Sequence, residues 1–570
     1  MKLGKTGAIL ICVLLIGTLV VSPVAAQSEP SESKIQTLLS GMTLEEKVGQ
    51  MIMGGFYGDQ PTEDARRLIQ EAHVGSMILF AYSGNVKDPV QTAKLNNGLQ
   101  KLAAETRLKI PLLIATDQEG GVVARLTTGA TELPGNMALG AARDPKLVRQ
   151  AYKIMAQELR AVGIQMDLAP DLDVNVNPDN PVIGVRSFAE NPELVARMGT
   201  EAIRGLQKNQ VIATAKHFPG HGDTNVDSHL GLPVINKSRA ELEKVELVPF
   251  KQAIASGIDA IMTAHIHVPA LDPTPDLPAT LSKPILTGLL REQLGYRGLI
   301  ITDSMTMAGV ADYFGGVPQA AVKAVDAGAD IILLTPSLTT DEQIEVYQAI
   351  VDAVRTGSLT EQRIDESVLR ILKVKLKYGL FQNSQVDLEQ VPKKVGTEKS
   401  ARQAREMAEK SVTLVKNEGN LLPLKLSADQ KLGIISQYSI IDRVKAYHPN
   451  TEEIYMQKTN PTDAEIAQAV QMASSKDVLI VGTYSASLYP QQIKLVKELQ
   501  KLNKPIAVVA FRNPYDIKDF PDVNAYVNAY GFRSVSLQAA VDTLFGTNHP
   551  SGKLPVTIPN LYPYGHGLSY

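Results

Sequence analysis

Between Thr37 and Gly379, apolar residues gather into short unbroken runs separated by stretches with helical spacing. The runs are Val74–Leu79, Leu112–Thr116, Gln165–Ala169, Val211–Ala215, Ala260–Ala264, Leu299–Thr302 and Asp330–Leu334. Short continuous apolar runs predict strands buried on both faces. Pro145–Val162 and Arg239–Ala255, between the runs, carry apolar residues at the spacing of amphipathic helices. Strands alternating with helices predict a parallel sheet. Seven or eight such units fit an α/β fold of the (β/α)8, TIM-like barrel type with insertions. An open doubly wound sheet is the competing arrangement.

The pattern then changes. Residues 382–400 are polar and aperiodic, with Pro392 and Gly396, as expected of a linker. A predicted helix, Ala401–Lys410, opens a second region with buried runs at Val412–Val415, Leu432–Ile435, Val478–Val481 and Ile506–Ala510. A helix over Gln491–Leu502 lies between two of them. The expected organisation is a barrel over 27–381, a linker over 382–400 and a smaller α/β sandwich over 401–570.

Composition narrows the function. The chain has 570 residues, too many for one core, with 44% hydrophobic and 21% charged residues, as in a folded globular protein. A formal net charge of −3 without a long basic run argues against nucleic acid as partner. Tryptophan is absent, which removes the strongest stacking platform for a long polymer. At the start, Lys2 and Lys5 precede an apolar run, Ala8–Val21, and Val24-Ala25-Ala26 offers small residues before Gln27. This is the form of a signal peptide over residues 1–26, with the rest of the chain exported and no membrane span left after cleavage; an uncleaved anchor is the competing reading. The one cysteine, Cys12, lies within that run, so the mature chain has neither disulfides nor thiol chemistry.

Several predicted strands end on polar groups: Thr116-Asp117, Lys216-His217, Ala264-His265 and Thr302-Asp303-Ser304. In barrel enzymes the site is built at these carboxyl ends, so the four segments converge in space. Asp303 either caps the next helix or works in the site. Asp117 precedes Gly120 and Gly121, which allow a close backbone approach to a ligand, and then Arg125, a fork of donors. A structural Asp117–Arg125 pair is the plainer reading. Arg186, after the loop 175–181, would by itself read as a surface arginine.

The segment Lys216–His229, KHFPGHGDTNVDSH, holds three of the nine histidines. Asp227 and His229 are two apart, so in extended backbone they point the same way. A carboxylate that accepts an imidazole N–H fixes its tautomer and raises its basicity, giving an acid/base group near neutral pH. Gly220 and Gly222 suggest that the loop Phe218–His229 moves to deliver His229. Zinc bound by His217, His221, Asp223 and His229 is the competing chemistry. The chain lacks a His-Glu-x-x-His spacing, and Lys216 would repel a cation, so no metal and no cofactor is expected.

At these residues the chain resembles glycoside hydrolase family 3, in its β-N-acetylglucosaminidase branch. The resemblance rests on Lys216-His-Phe-Pro-Gly-His-Gly-Asp-Thr224 with Asp227-Ser-His229, and on Asp117-x-Glu-Gly-Gly-x-Val-x-Arg125. Val182-Ile-Gly-x-Arg-Ser-Phe188, Ile301-Thr-Asp-Ser-Met305, Ser411–Asn417 and Tyr564–Tyr570 extend it across almost the whole mature chain. It implies a barrel followed by an α/β sandwich. It further implies Asp303 as nucleophile, His229 as acid/base with Asp227 as its partner, and sugar contacts from Asp117, Arg125, Arg186, Lys216 and His217. The substrate would be a small carbohydrate, a GlcNAc-containing oligosaccharide or muropeptide. Two rivals remain at this point: a phosphorylase using the same site, and a non-catalytic sugar-binding protein.

Overall fold

The computed structural model describes residues 32–311 and 315–570. The expected signal peptide lies outside the described residues. Eight strands are β1 (Ile52–Gly54), β2 (Ser76–Leu79), β3 (Leu113–Thr116), β4 (Met166–Asp167), β5 (Ile212–Phe218), β6 (Ala260–Thr263), β7 (Leu299–Ile301) and β8 (Ile332–Leu333). They pair in parallel in the order β8-β1-β2-β3-β4-β5-β6-β7. A parallel bridge between Ile301 and Ile331 joins β7 to the start of β8, with Thr302 N–H donating to the Ile331 carbonyl at 3.0 Å. That closure makes a barrel and not an open sheet, so every strand is covered by helices outside and side chains within.

Two departures from the sequence pattern have local causes. The helix Leu44–Gln50 passes into β1 through Met51 alone, so no loop marks that strand. Arg239–Ala255 forms two helices, Arg239–Lys244 and Leu247–Ala255. Pro249 has no N–H for the Val245 carbonyl, and its ring would strike it, so the helix breaks there. The break turns Glu246 inward, where it accepts from Lys237 Nζ at 2.6 Å.

Residues 382–400 lie along the barrel as a strap. Val391 and Val395 are buried, and Asn97 exchanges two hydrogen bonds with the Val386 backbone, both at 2.8 Å. The following domain has six strands: β9 (Thr413–Asn417), β10 (Leu432–Ser436), β11 (Thr451–Tyr455), β12 (Val478–Thr483), β13 (Ile506–Ala510) and β14 (Ala525–Asn528). Their order is β9-β14-β13-β12-β10-β11, parallel except for β9 against β14. Met137, Ala138 and Val185 of the barrel share an apolar cluster with Val415, Tyr515 and Leu554. Asn175 Nδ2 donates to Tyr515 Oη at 2.9 Å, and Arg533 Nε to the Gly121 carbonyl at 2.7 Å. The carboxyl edge of the second sheet therefore meets the loops at the carboxyl end of the barrel. Among the described residues no helix is long and apolar enough to cross a membrane.

Candidate active site

The carboxyl ends of β3, β4, β5 and β7 deliver one charged network. Lys216, buried near the end of β5, places Nζ 3.1 Å from Asp117 Oδ1 and 2.7 Å from Glu119 Oε1. Arg186 donates to both oxygens of Glu119, at 3.0 and 2.8 Å, in a two-pronged pair. Arg125 closes on the other oxygen of Asp117 at 3.2 Å. Burial alone would raise the Glu119 carboxyl, but Arg186 and Lys216 reverse this and hold it far below the usual carboxylate range. Burial likewise works against the Lys216 charge, and Glu119 and Asp117 overcome it, holding the ammonium well above its ordinary value. The plainer reading of Asp117 with Arg125 as a structural pair thus describes part of the geometry, since the same carboxylate also meets Lys216.

His217 is held from below. Its Nδ1 lies 2.7 Å from Asp173 Oδ2, and its Nε2 lies 3.4 Å from Arg186 Nη2. Asp173 Oδ1 also accepts the backbone N–H groups of His217 and His221, at 3.2 and 2.6 Å. Burial would raise Asp173, but His217 and the His221 backbone N–H keep it below its ordinary value and ionised. Asp171 is pushed well above the carboxylate range by burial and by Asp173, so it is neutral.

Asp303 follows β7. Its Oδ1 accepts the Ser304 N–H at 2.7 Å. Burial favours its neutral form, yet His217, His265, that N–H and Lys216 together hold it below the ordinary range, and it is ionised at neutral pH. His265 Nε2 lies 2.9 Å from the Ser304 carbonyl, tying the end of β6 to the turn that carries Asp303.

The dyad lies on the loop after β5. His229 Nδ1 is 2.7 Å from Asp227 Oδ1, which also accepts the His229 backbone N–H at 2.9 Å. The His229 side chain is 59% exposed. Part of this loop is anchored, contrary to what its polarity suggests. His221 and Thr224 are buried, and His221 bonds Thr224 Oγ1 and Ser228 Oγ, each at 2.9 Å. Polar side chains enter the interior here because they satisfy one another. Burial lowers His221 to about 4, so it serves as a neutral strut.

Asp117, Arg125, Arg186, Lys216, His217, His229 and Asp303 all line one cavity of about 440 Å³, and Asp227 stands behind His229. Arg186, which sequence alone leaves on the surface, is thereby central. Ile78, Leu168, Met262 and Leu333 give the cavity apolar wall. The four residues weighed for zinc do not converge: Asp223 pairs with Lys237 at 2.8 Å, and His221 faces Thr224 and Ser228. The group that does converge is Asp171, Asp173 and His217. Arg186 Nη2, 3.9 Å from Asp171 Oδ2, places a fixed positive charge against it.

Glu119, Asp173 and the role of His265 are not singled out by the sequence pattern. Asp173 lies on the loop well beyond β4, outside the reach of the strand-end rule that picks out Asp117 and Asp303. Glu119 stands inside the segment Asp117–Arg125, where its neighbouring glycines draw attention to the backbone instead.

A closed parallel barrel thus gathers a buried ionised carboxylate, a His–Asp dyad and a ring of charged side chains into one cavity, an arrangement suited to nucleophilic and acid/base cleavage of a glycosidic bond. Comparison with known proteins agrees. Residues 43–374 match the glycosyl hydrolase family 3 N-terminal domain, and residues 412–570 the family 3 C-terminal domain. A β-hexosaminidase A of Pseudoalteromonas piscicida is 33% identical over 91% of this chain and 97% of its own length. The solved family 3 β-N-acetylglucosaminidase of Paenibacillus sp. str. FPU-7 superposes with a TM-score of 0.84 at 39% identity, covering 91% of this chain and 99% of that one. A β-glucoside phosphorylase, BglX, gives 0.79 at 26% identity over 93% of this chain and 96% of that one. The chain belongs to glycosyl hydrolase family 3, in its β-hexosaminidase branch.

Proposed function

We propose that this protein is a secreted, retaining exo-β-N-acetylglucosaminidase. It releases terminal GlcNAc from cell-wall muropeptides or chitin fragments through a covalent glycosyl-enzyme. The observation that carries this reading is that an ionised Asp303 and the His229–Asp227 dyad serve one cavity. In the first step an Asp303 oxygen attacks the anomeric carbon while the bond to the leaving oxygen breaks. Protonated His229 gives its proton to that oxygen, and Asp227 stabilises the ring. In the second step neutral His229 takes a proton from water. The water oxygen bonds to the anomeric carbon, and the ester to Asp303 breaks. Asp117, Arg125, Arg186, Lys216 and His217 hold the sugar hydroxyls, with Glu119 and Asp173 fixing the cations and the imidazole. The small, walled cavity supports attack on one terminal unit at a time.

A second reading has one observation in its favour. The proposed acid/base is an imidazole, which carries no negative charge to repel an incoming phosphate, and BglX is a phosphorylase by name. Incubating the enzyme with a GlcNAc disaccharide, with and without phosphate, separates the two. Free GlcNAc in both cases supports hydrolysis, and a sugar 1-phosphate formed only with phosphate supports transfer. An aryl β-glucoside cleaved as well as the matching N-acetylglucosaminide would overturn the substrate assignment. Export is tested by the N-terminal residue of protein recovered outside the cell, expected at Gln27.

A further inference from the structure

In the second domain, β10 is flanked by β11 on one side and β12 on the other, so strand order reverses between β10 and β12. In open parallel sheets, ligands bind in the crevice outside the carboxyl ends of the strands at such a reversal. Gln437 and Tyr438 follow β10, Tyr484 and Ser485 follow β12, and Arg512 and Asn513 lie just beyond β13. Phe532 lies beyond β14.

This edge holds buried polar atoms without partners. Gln437 is 7% exposed, yet neither its Nε2 nor its Oε1 is hydrogen-bonded. Ser485 Oγ, Arg512 Nε and Asn513 Oδ1 are likewise unpaired. Buried polar groups are rarely left so, and a cluster at one strand edge points to partners supplied by a ligand. Aromatic faces accompany them. Tyr438 stacks on Phe532 at 4.8 Å and 8°, Tyr484 lies 5.7 Å from Tyr438, and Arg512 lies over Tyr484 at 5.2 Å. Rings for the C–H faces of a sugar, beside amide and guanidinium groups for its hydroxyls and acetamido group, are saccharide-binding chemistry.

The crevice also has a place relative to the catalytic cavity. Asn513 packs against Gly184, whose added Cβ would sit 2.6 Å from Asn513 Oδ1, and Gly184 is two residues from Arg186. Arg533, next to Phe532, holds the Gly121 carbonyl two residues before Val123. Arg186 and Val123 both line the cavity, whereas none of the crevice residues does.

We propose that this crevice is a second saccharide site that takes N-acetylglucosamine units of an oligosaccharide. The proposal rests on the reading of the enzyme as an N-acetylglucosaminidase. The units come either from the distal part of the chain being cut or from a separate chain. The test titrates full-length protein carrying Asp303→Asn, which binds chains without cutting them, with the N-acetylglucosamine tetramer in a calorimeter. Gln437→Ala removes an amide that no protein group uses, and Tyr484→Ala removes a ring. Each is expected to weaken tetramer binding about fivefold. In the chain with native Asp303, Gln437→Ala is expected to leave turnover of an aryl N-acetylglucosaminide within about twofold, since that substrate fills only the cavity. Two tetramers per protein would identify a separate chain, and one tetramer with lowered affinity in the variants would identify the distal part of the substrate. Unchanged affinity in a Gln437→Ala protein that melts like the parent, or no tetramer binding at all, overturns the crevice. Failure of the native chain to cleave the aryl substrate overturns the functional reading instead, and the titration reads the crevice independently.

Discussion

His217 Nδ1 lies 2.7 Å from Asp173 Oδ2, and both groups are buried. The carboxylate holds the proton on Nδ1 and leaves Nε2 facing Arg186 and the cavity. Asp173 also accepts two backbone N–H groups, so it ties the end of β5 to the start of the dyad loop. Asp173→Asn offers an N–H where an acceptor is needed and leaves a buried donor in conflict. Loss of one such charge-assisted bond costs about 1.5–3 kcal/mol, roughly a 10- to 150-fold drop in kcat/KM. Steady-state kinetics on an aryl N-acetylglucosaminide checks this, and an unchanged kcat/KM would remove Asp173 from the support of the site.

Asp303→Asn keeps the shape of the side chain and removes its nucleophilic charge. The fold should persist while turnover falls by at least about a thousandfold, corresponding to about 4 kcal/mol of barrier. A fluorinated N-acetylglucosamine analogue that slows the second step should trap an ester on the native protein, and peptide mass spectrometry should find it on Asp303. Because Asp303 lies below the ordinary carboxylate range, the acid limb of kcat/KM should fall below about pH 3.9, the unperturbed value, unless unfolding comes first. A label on any other residue refutes the assignment.

The strands of the barrel were readable because parallel strands buried on both faces leave continuous apolar runs, and their polar ends marked Asp117, Lys216, His217 and Asp303. β1 escaped because Met51 alone separates it from a helix, and β11 because its sequence, TEEIY, is that of a half-exposed edge strand. The dyad was readable because both partners lie on one short loop. The Glu119–Arg186 pair was not, because its members stand 67 positions apart and meet only once β3 and β4 pair and their loops fold over the barrel end. Local periodicity reports which face a residue presents, whereas such long-range pairing depends on which strands become neighbours.

At the opposite end of the barrel, Lys375 is fully buried, and its Nζ donates to Gln50 Oε1 at 2.7 Å and to the Gly75 carbonyl at 2.8 Å. Burial lowers it to about 7. Between that value and the unfolded value of about 10.4, the unfolded chain holds a proton that the folded chain has released. Stability from this group therefore rises with pH across that window, by at most about 1.4 kcal/mol per pH unit, and below it the charged form is disfavoured by burial. Urea unfolding at pH 7.5 and 9.5 should show this gain in the native protein. Lys375→Met should abolish the difference between its own two curves, and an identical gain in the variant would exclude Lys375 as its source.

His229 is the residue whose chemistry depends most on the leaving group. Its ring stands 59% exposed on a loop whose inner half is pinned by His221, Thr224 and Ser228, while Asn225, Val226 and Leu230 are exposed. Motion that seats His229 over the glycosidic oxygen is therefore limited to the residues from 225 to 230 and has to turn about or break the contacts that hold Ser228, a shorter reach than the whole glycine-rich loop would allow. A departing alkoxide needs a proton in the transition state, whereas a nitrophenolate does not. His229→Ala should slow cleavage of a GlcNAc disaccharide by about 10²–10⁴-fold, the usual worth of general acid catalysis. The first bond-breaking step on a dinitrophenyl glycoside, followed as a rapid burst, should change by less than about tenfold. Asp227→Asn should reproduce the same selectivity in weaker form, because it keeps an oxygen to accept the His229 N–H but removes the negative charge that stabilises the protonated ring. Equal losses across a leaving-group series would refute the acid role. Loop positions that superimpose between free and GlcNAc-bound crystals would refute the motion while leaving the proton transfer in place.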